Sequence, residues 1–182
     1  MYITLLLSPT IPVVDSGNPT SAVDEEEDFV RKYKNKSLPT FSLKALDGTI
    51  VDNKMLEGKV VMINFWSTTC GPCIMEMPDL NRLKELHPDV LFLAIAPEND
   101  AKINSLLAKH PFDFLILPDG TDLFKEWGIT SYPRNFFIDR SGKIRDVKQG
   151  TPVATNYDTY EITVRVVELY SPILKRLERK KR

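Results

Sequence analysis

The chain has 182 residues, 24 basic and 25 acidic side chains for a net charge of −1, and 42% apolar residues. That balance excludes wholesale disorder, a collagen-like fibre and a disulfide-dense miniprotein, and the lack of a basic surplus argues against a dedicated nucleic-acid binder. No apolar run of about 18 residues is present to span a membrane, and no glycine-rich phosphate loop occurs.

Residues 1–14, MYITLLLSPTIPVV, carry an apolar patch (Ile3, Leu5, Leu6, Leu7) with no basic start ahead of it. A secretory signal needs a charged start, a longer apolar core and a small-residue cleavage site. Two readings therefore stand: a mobile or weakly docked arm, and the remnant of an export or lipoprotein signal. Residues 24–28, DEEED, form an acidic run expected to be solvated and to cap or precede a short helix through Phe29, Val30 and Tyr33.

Residues 40–52 hold two strand-like runs around Asp47-Gly48, a hairpin dipeptide. Residues 59–66, KVVMINFW, are continuous, apolar and rich in β-branched side chains, as in a central strand buried on both faces. After Cys70 and Cys73, Met77, Leu80, Leu83 and Leu86 recur at helical spacing, with Pro78 expected to kink that helix. Residues 90–96 predict a second buried strand, 101–109 a helix stopped at His110-Pro111, 114–117 a short strand, and 123–127 a helical turn closed by Gly128. Residues 135–139 and 144–147 predict two strands joined at Ser141-Gly142. From Thr155 onward, Ile162, Val166, Leu169, Ile173 and Leu177 form an apolar stripe read as a terminal helix. Ser171-Pro172 is either a kink in it or the cap and first residue of a new helix. The basic end, residues 175–182, suits the negative end of a helix dipole. Alternating strands and helices imply an α/β fold whose central sheet is covered on both faces. The closing hairpin makes that sheet mixed.

Cys70 and Cys73 are the only cysteines, placed between a buried strand and the first turn of a helix. A thiolate at a helix N-terminus is stabilised by free backbone N–H groups and the positive dipole end. Cys70 is then the outer thiol, which attacks a substrate disulfide, and Cys73, one turn inward, resolves the mixed disulfide. Zinc needs about four ligands, and only His87 and His110, each followed by proline, remain to supply them. An inert structural disulfide is the other rival. Glu76, three residues after Cys73, is the nearest group able to take its proton; alternatively it only complements the helix dipole.

Residues 64–78, NFWSTTCGPCIMEMP, resemble the active-site segment of thioredoxin-fold proteins, most closely the TlpA/ResA-like thiol-disulfide oxidoreductases. Phe65, Trp66, Cys70, Cys73, Glu76 and Pro78 stand at the pattern's positions, with further matches in the Asp47-Gly48 hairpin, the Gly58-Lys59 strand entry, Tyr132-Pro133 and the segment NFFIDRSGKI. The resemblance spans residues 38–150 and implies a thioredoxin-like three-layer α/β fold with an N-terminal β-hairpin extension. With the terminal helix, which the resemblance covers only loosely if at all, the domain is expected to run over residues 38–182, and residues 1–37 to form an arm with the acidic run. The resemblance further implies a redox-active Cys70–Cys73 disulfide and a cis Pro133 facing the cysteine pair. Trp66, Thr69, Tyr132 and Pro133 are the expected substrate-binding residues. Tyr132 is expected either to dock the substrate chain or to pack inward.

Three positions depart from the family's pattern: Thr69 where Trp is usual, Asn64 where thioredoxins carry a buried Asp, and Arg134-Asn135 where a Thr is common. The C-G-P-C tetrapeptide matches that of thioredoxin, at the reducing end of the scale near about −270 mV. The resemblance implies a monomer that acts outside the bacterial cytoplasm without cofactor or metal. Its partners are protein substrates with disulfides or thiols and a membrane or soluble electron donor, not nucleic acid. Two other classes are weighed against it. A peroxiredoxin-like peroxide reductase would use Ser67-x-x-Cys70 but lacks the upstream proline. A copper chaperone on the same fold would need a distal histidine, and none follows His110.

Overall fold

The computed structural model describes residues 20–156 and 161–179, so both readings of residues 1–14 and the last three basic residues lie outside the described residues. Its first helix, α1 (Thr20–Tyr33), is followed by β1 (Ser42–Lys44) and β2 (Ile50–Asp52), a separate antiparallel hairpin. Gly48 closes its turn at φ 89°, where a side chain would strain the backbone, and the Asp47 carboxylate accepts the Thr49 N–H at 2.9 Å.

A five-stranded sheet forms the middle layer. It is built from β3 (Val60–Phe65), β4 (Val90–Ile95), β5 (Leu115–Leu117), β6 (Arg134–Ile138) and β7 (Ile144–Gln149), in the order β5-β4-β3-β6-β7. β3, β4 and β5 run parallel; β6 and β7 are antiparallel additions. The sheet is therefore mixed, as expected.

All of β3 is buried, and its alternation sorts two cores. Val60 and Met62 face one layer, which holds α3 (Gly71–Leu86), α4 (Asp100–Leu107) and α6 (Val166–Arg179). Val61, Ile63 and Phe65 face the other, with α1, the short α2 (Asn53–Leu56) and α5 (Thr121–Trp127). Strand side chains alternate between faces, so one strand feeds both cores. In the second core Phe65 meets Phe124, Trp127 and Phe136 edge-on, with ring centroids 5.1–5.8 Å apart; such pairs contribute about 1 kcal/mol each beyond area burial.

Three expectations need correction. The apolar stripe after Thr155 is not one helix: β8 (Val153–Asn156) and β9 (Glu161–Val164) form a second separate hairpin, and α6 starts only at Val166. Ile162 is thus a strand residue, 59% exposed, while Val166, Ile173 and Leu177 do line the core. Ser171-Pro172 starts no new helix, because α6 runs through Pro172 without a break and the Ser171 hydroxyl is turned to His87. The acidic run lies within α1 rather than ahead of it, and Glu26 is not freely solvated but pairs with the buried Arg134 at 3.2 Å. α1 also brings Tyr33, 4% exposed, into the second core, where its hydroxyl donates to the Trp127 carbonyl.

Candidate redox site

β3 points its C-terminal end at the turn 67–69, and that turn hands the chain to α3. The Cys70 N–H donates to the Ser67 carbonyl at 3.1 Å. Cys70 itself is the N-cap of α3, extended at φ −88° and ψ 100°, with its sulfur accepting the Cys73 N–H at 3.2 Å. Pro72 sits in the first helical turn, where its missing N–H costs nothing. Cys70 and Cys73 are joined by a disulfide, Cys70 half-buried and Cys73 1% exposed. The outer sulfur therefore lies at the positive end of a 16-residue helix and the inner one is shielded, a geometry that favours an outer thiolate.

Beneath the pair lies a buried polar network. Asn64 shares the face of Met62 on β3, and Asn135 the face of Phe137 on β6; the two are paired in register. The Asn64 side-chain amide donates to Glu76 Oε1 at 3.0 Å and to Asn135 Oδ1 at 2.8 Å, and Asn135 donates to the Tyr170 hydroxyl at 3.4 Å. Glu76 is fully buried. Burial pushes its carboxyl up to about 8, while Thr151, Asn64 and Asn135 pull the other way. Its Oε2 has no hydrogen-bond partner. The Tyr170 phenol is pushed above its ordinary value by burial and then by the charge of Glu76. Glu76 is the sixth residue of α3, past its first turn, and is buried rather than solvated.

The remaining expected site residues fall into different places. Thr69 is exposed beside Cys70. The Tyr132–Pro133 bond is cis, and Pro133 is buried. Tyr132 is half-buried, its ring 5.5 Å from that of Phe124. Trp66 is the exception: it is 0% exposed and packs edge-on against Phe112 at 5.8 Å, so no polypeptide can reach it and its place is in the core. Arg134, next after the cis proline, turns to the opposite face from Asn135. There it lies over the Phe29 ring at 3.5 Å and pairs with Glu26.

The expectations passed over Asn135, Tyr170, Thr151 and Glu98 as site residues. Asn135 was open to detection: an asparagine in a strand buried on both faces must find a polar partner. Thr151, whose hydroxyl donates to the Pro72 carbonyl at 2.9 Å, and Glu98, which accepts the Ser67 hydroxyl at 2.6 Å, come from distant loops with no local signal. His87, weighed as a metal ligand, is buried between Ser171 at 2.9 Å and Glu178 at 2.7 Å and ties α3 to α6.

Comparison with known proteins gives the same picture. The profile of the Redoxin family matches residues 21–161. The thiol-disulfide oxidoreductase ResA of Bacillus thuringiensis subsp. konkukian is 31% identical over 130 residues, 69% of this chain and 75% of its own. The thioredoxin-like protein YneN of Bacillus subtilis is 30% identical over 123 residues, 65% of this chain and 72% of its own. Among solved structures, MTB dsbF shares 31% identity at a TM-score of 0.54, covering 60% of this chain and 84% of that one. The thioredoxin domain of a thiol-disulfide oxidoreductase from Bacteroides vulgatus superposes at a TM-score of 0.63 over 79% of this chain and 97% of its own, a likeness of fold at 17% identity. With the C-x-x-C at the head of α3 and these relatives together, the chain belongs to the Redoxin family and is a thioredoxin-fold thiol-disulfide oxidoreductase.

Proposed function

We propose that the protein reduces disulfides in protein substrates, with Cys70 as the attacking thiol, Cys73 as the resolving thiol and Glu76 as the proton acceptor for Cys73. The Cys70 thiolate attacks one substrate sulfur. A mixed disulfide forms, and the second substrate sulfur leaves as a thiolate that takes a proton from water. Cys73 passes its proton to Glu76 and attacks the Cys70 sulfur. The Cys70–Cys73 disulfide forms, and the remaining substrate sulfur leaves as a thiolate that takes up the proton Glu76 gives back. Two electrons have moved from the dithiol to the substrate. A dithiol donor, soluble or in a membrane, returns them.

The observation that carries this reading is the Cys70–Cys73 pair at the head of α3, outer sulfur half-buried and inner sulfur shielded, with the buried Glu76 one helical turn beyond Cys73 and its carboxyl pushed up to about 8 by burial. A carboxyl tuned to that range can accept a proton and give it back near neutral pH. Thr69, Tyr132 and Pro133 form the surface that receives the substrate chain. The ResA-like relatives support work outside the bacterial cytoplasm, and the thioredoxin-type tetrapeptide a reducing role there, keeping thiols reduced as in cytochrome c maturation.

The test is trapping. Cys73→Ser is expected to accumulate a mixed disulfide with a reducible protein such as insulin, mapped by mass spectrometry to Cys70, while Cys70→Ser traps nothing. Trapping by Cys70→Ser alone would reverse the two roles. Hydrogen peroxide turned over faster than insulin would replace the reading with a peroxidase.

A further inference from the structure

The loop between β4 and α4 places one more carboxylate at the redox site. Ala96, Pro97 and Glu98 each give a backbone carbonyl to the β5–α5 turn: the Gly120 N–H donates to Ala96 at 2.8 Å, the Thr121 hydroxyl to Pro97 at 3.0 Å and the Asp119 N–H to Glu98 at 2.9 Å. The turn has little freedom. Asp119 takes φ 56°, and a Cβ on Gly120 would come within 2.8 Å of Ile95 Cγ2. Glu98 is thus mounted on a rigid base.

From that base its Oε1 accepts the Ser67 hydroxyl at 2.6 Å and the Thr68 N–H at 3.2 Å. The Ser67 hydroxyl also accepts the Thr69 N–H at 3.3 Å, and the Ser67 carbonyl accepts the Cys70 N–H at 3.1 Å. Glu98 therefore grips the turn that delivers the outer sulfur. Its Oε2 is shut off from solvent and has no hydrogen-bond partner, so the charge is poorly screened. Its field reaches across the site: burial first, and then Glu98, makes the Tyr132 phenol harder to ionise.

We propose that Glu98 is a positioning residue for Cys70: it holds the 67–69 turn, and its charge opposes the helix N-terminus there, disfavouring the Cys70 thiolate and keeping the dithiol strongly reducing. A negative charge beside a thiol disfavours its ionised form. A less stabilised reduced state gives its electrons away more readily. The other charged or titratable groups around the site are Glu76 and Tyr170 below it, Tyr132 across from it, and the exposed Lys102 and Lys109 in the depression beside Thr68. The inference rests on Cys70 being the exposed, attacking thiol.

Glu98→Gln keeps an oxygen to accept from Ser67 and Thr68 and removes only the charge. In the reduced protein, iodoacetamide labelling of Cys70 across pH is expected to move its midpoint down by about half a pH unit or more on this substitution. The equilibrium constant for reduction of the Cys70–Cys73 disulfide by two glutathiones, yielding the dithiol and oxidised glutathione, is expected to rise about threefold or more. Ser67→Ala breaks the grip and leaves the charge; it is expected to slow Cys70 labelling at every pH with its midpoint in place. Unchanged midpoint and equilibrium constant in Glu98→Gln would overturn the electrostatic half, and unchanged labelling rates in Ser67→Ala the positioning half. Peptide mapping keeps the two readings apart: label found on Cys73 instead of Cys70 in the unmodified protein would sink the assigned thiol roles, independently of how the Glu98 variant behaves.

Discussion

Glu76→Gln is expected to remove most of a pH dependence that the folded protein carries. Burial pushes the Glu76 carboxyl up to about 8 in the folded chain from its ordinary 4.5. Between those values the unfolded chain has released this proton and the folded chain still holds it, so stability falls as pH rises through the window. The contribution is fully favourable below about 4.5, and it is lost by about 8. At about 1.4 kcal/mol per pH unit the loss comes to about 5 kcal/mol. Glutamine has the same shape, can accept the Asn64 hydrogen bond and does not titrate. The stability of wild type relative to the variant should therefore drop by about 5 kcal/mol across the window, with the variant gaining as pH rises. The assay is urea unfolding of the oxidised protein at several pH values, where the disulfide keeps the cysteines from titrating. All other groups cancel in the comparison. Parallel stability curves would mean that Glu76 ionises at an ordinary pH and is too weak a base to hold the proton of Cys73.

Trp66→Ala should cost about 3–5 kcal/mol of stability, measured by chemical unfolding, since the side chain fills the core against Phe112; a loss of turnover at unchanged stability would restore it as a substrate contact. His87→Ala should cost about 3 kcal/mol, because Ser171 loses its buried partner and Glu178 its ring contact, while the glutathione equilibrium of the cysteines stays in place. A shift in that equilibrium would place His87 in the redox machinery. Tyr132→Ala should slow insulin reduction several-fold and leave reduction of a small aromatic disulfide near wild type; equal losses on both would make Tyr132 a structural residue.

What could be read from the chain depended on how local the cause was. β3 and β4 were legible because strands buried on both faces must be continuously apolar. The cysteine pair was legible because strand, motif and helix follow one another directly. Glu76 was placed by helical spacing, but its burial was not visible, since a carboxylate in sequence looks like a solvated one. Its neighbours Asn64 and Asn135 cancel that polarity only when β6 returns beside β3. Trp66 was misplaced because the resemblance marks the position but not the side chain's direction; just past the end of β3 it points into the core that holds Val60 and Met62. The 155–177 stripe failed for another reason. Ile162 fits a helical period by spacing alone, and only the pairing of Thr155 with Ile162 reveals two strands. Glu98 and Thr151 reach the site from loops whose positions depend on the whole sheet.

The docking of α1 also has a consequence for the order of events at the ribosome. Among the described elements this helix emerges earliest, yet its partners come late. Tyr33 waits for the Trp127 carbonyl, 94 residues on, and Glu26 and Phe29 wait for Arg134 and Phe136, farther still. At about 5–20 residues per second, α1 spends on the order of 5–20 s without its binding surface. The parallel half of the sheet, β3 to β5, has all its own strand pairings by residue 117. Phe29, Val30 and Tyr33 are left as an uncovered apolar stripe until β6 and β7 arrive, and contacts this distant in sequence form slowly. The earliest of the described elements is thus among the last to dock, and a nascent chain stalled before residue 134 would present that stripe to chaperones.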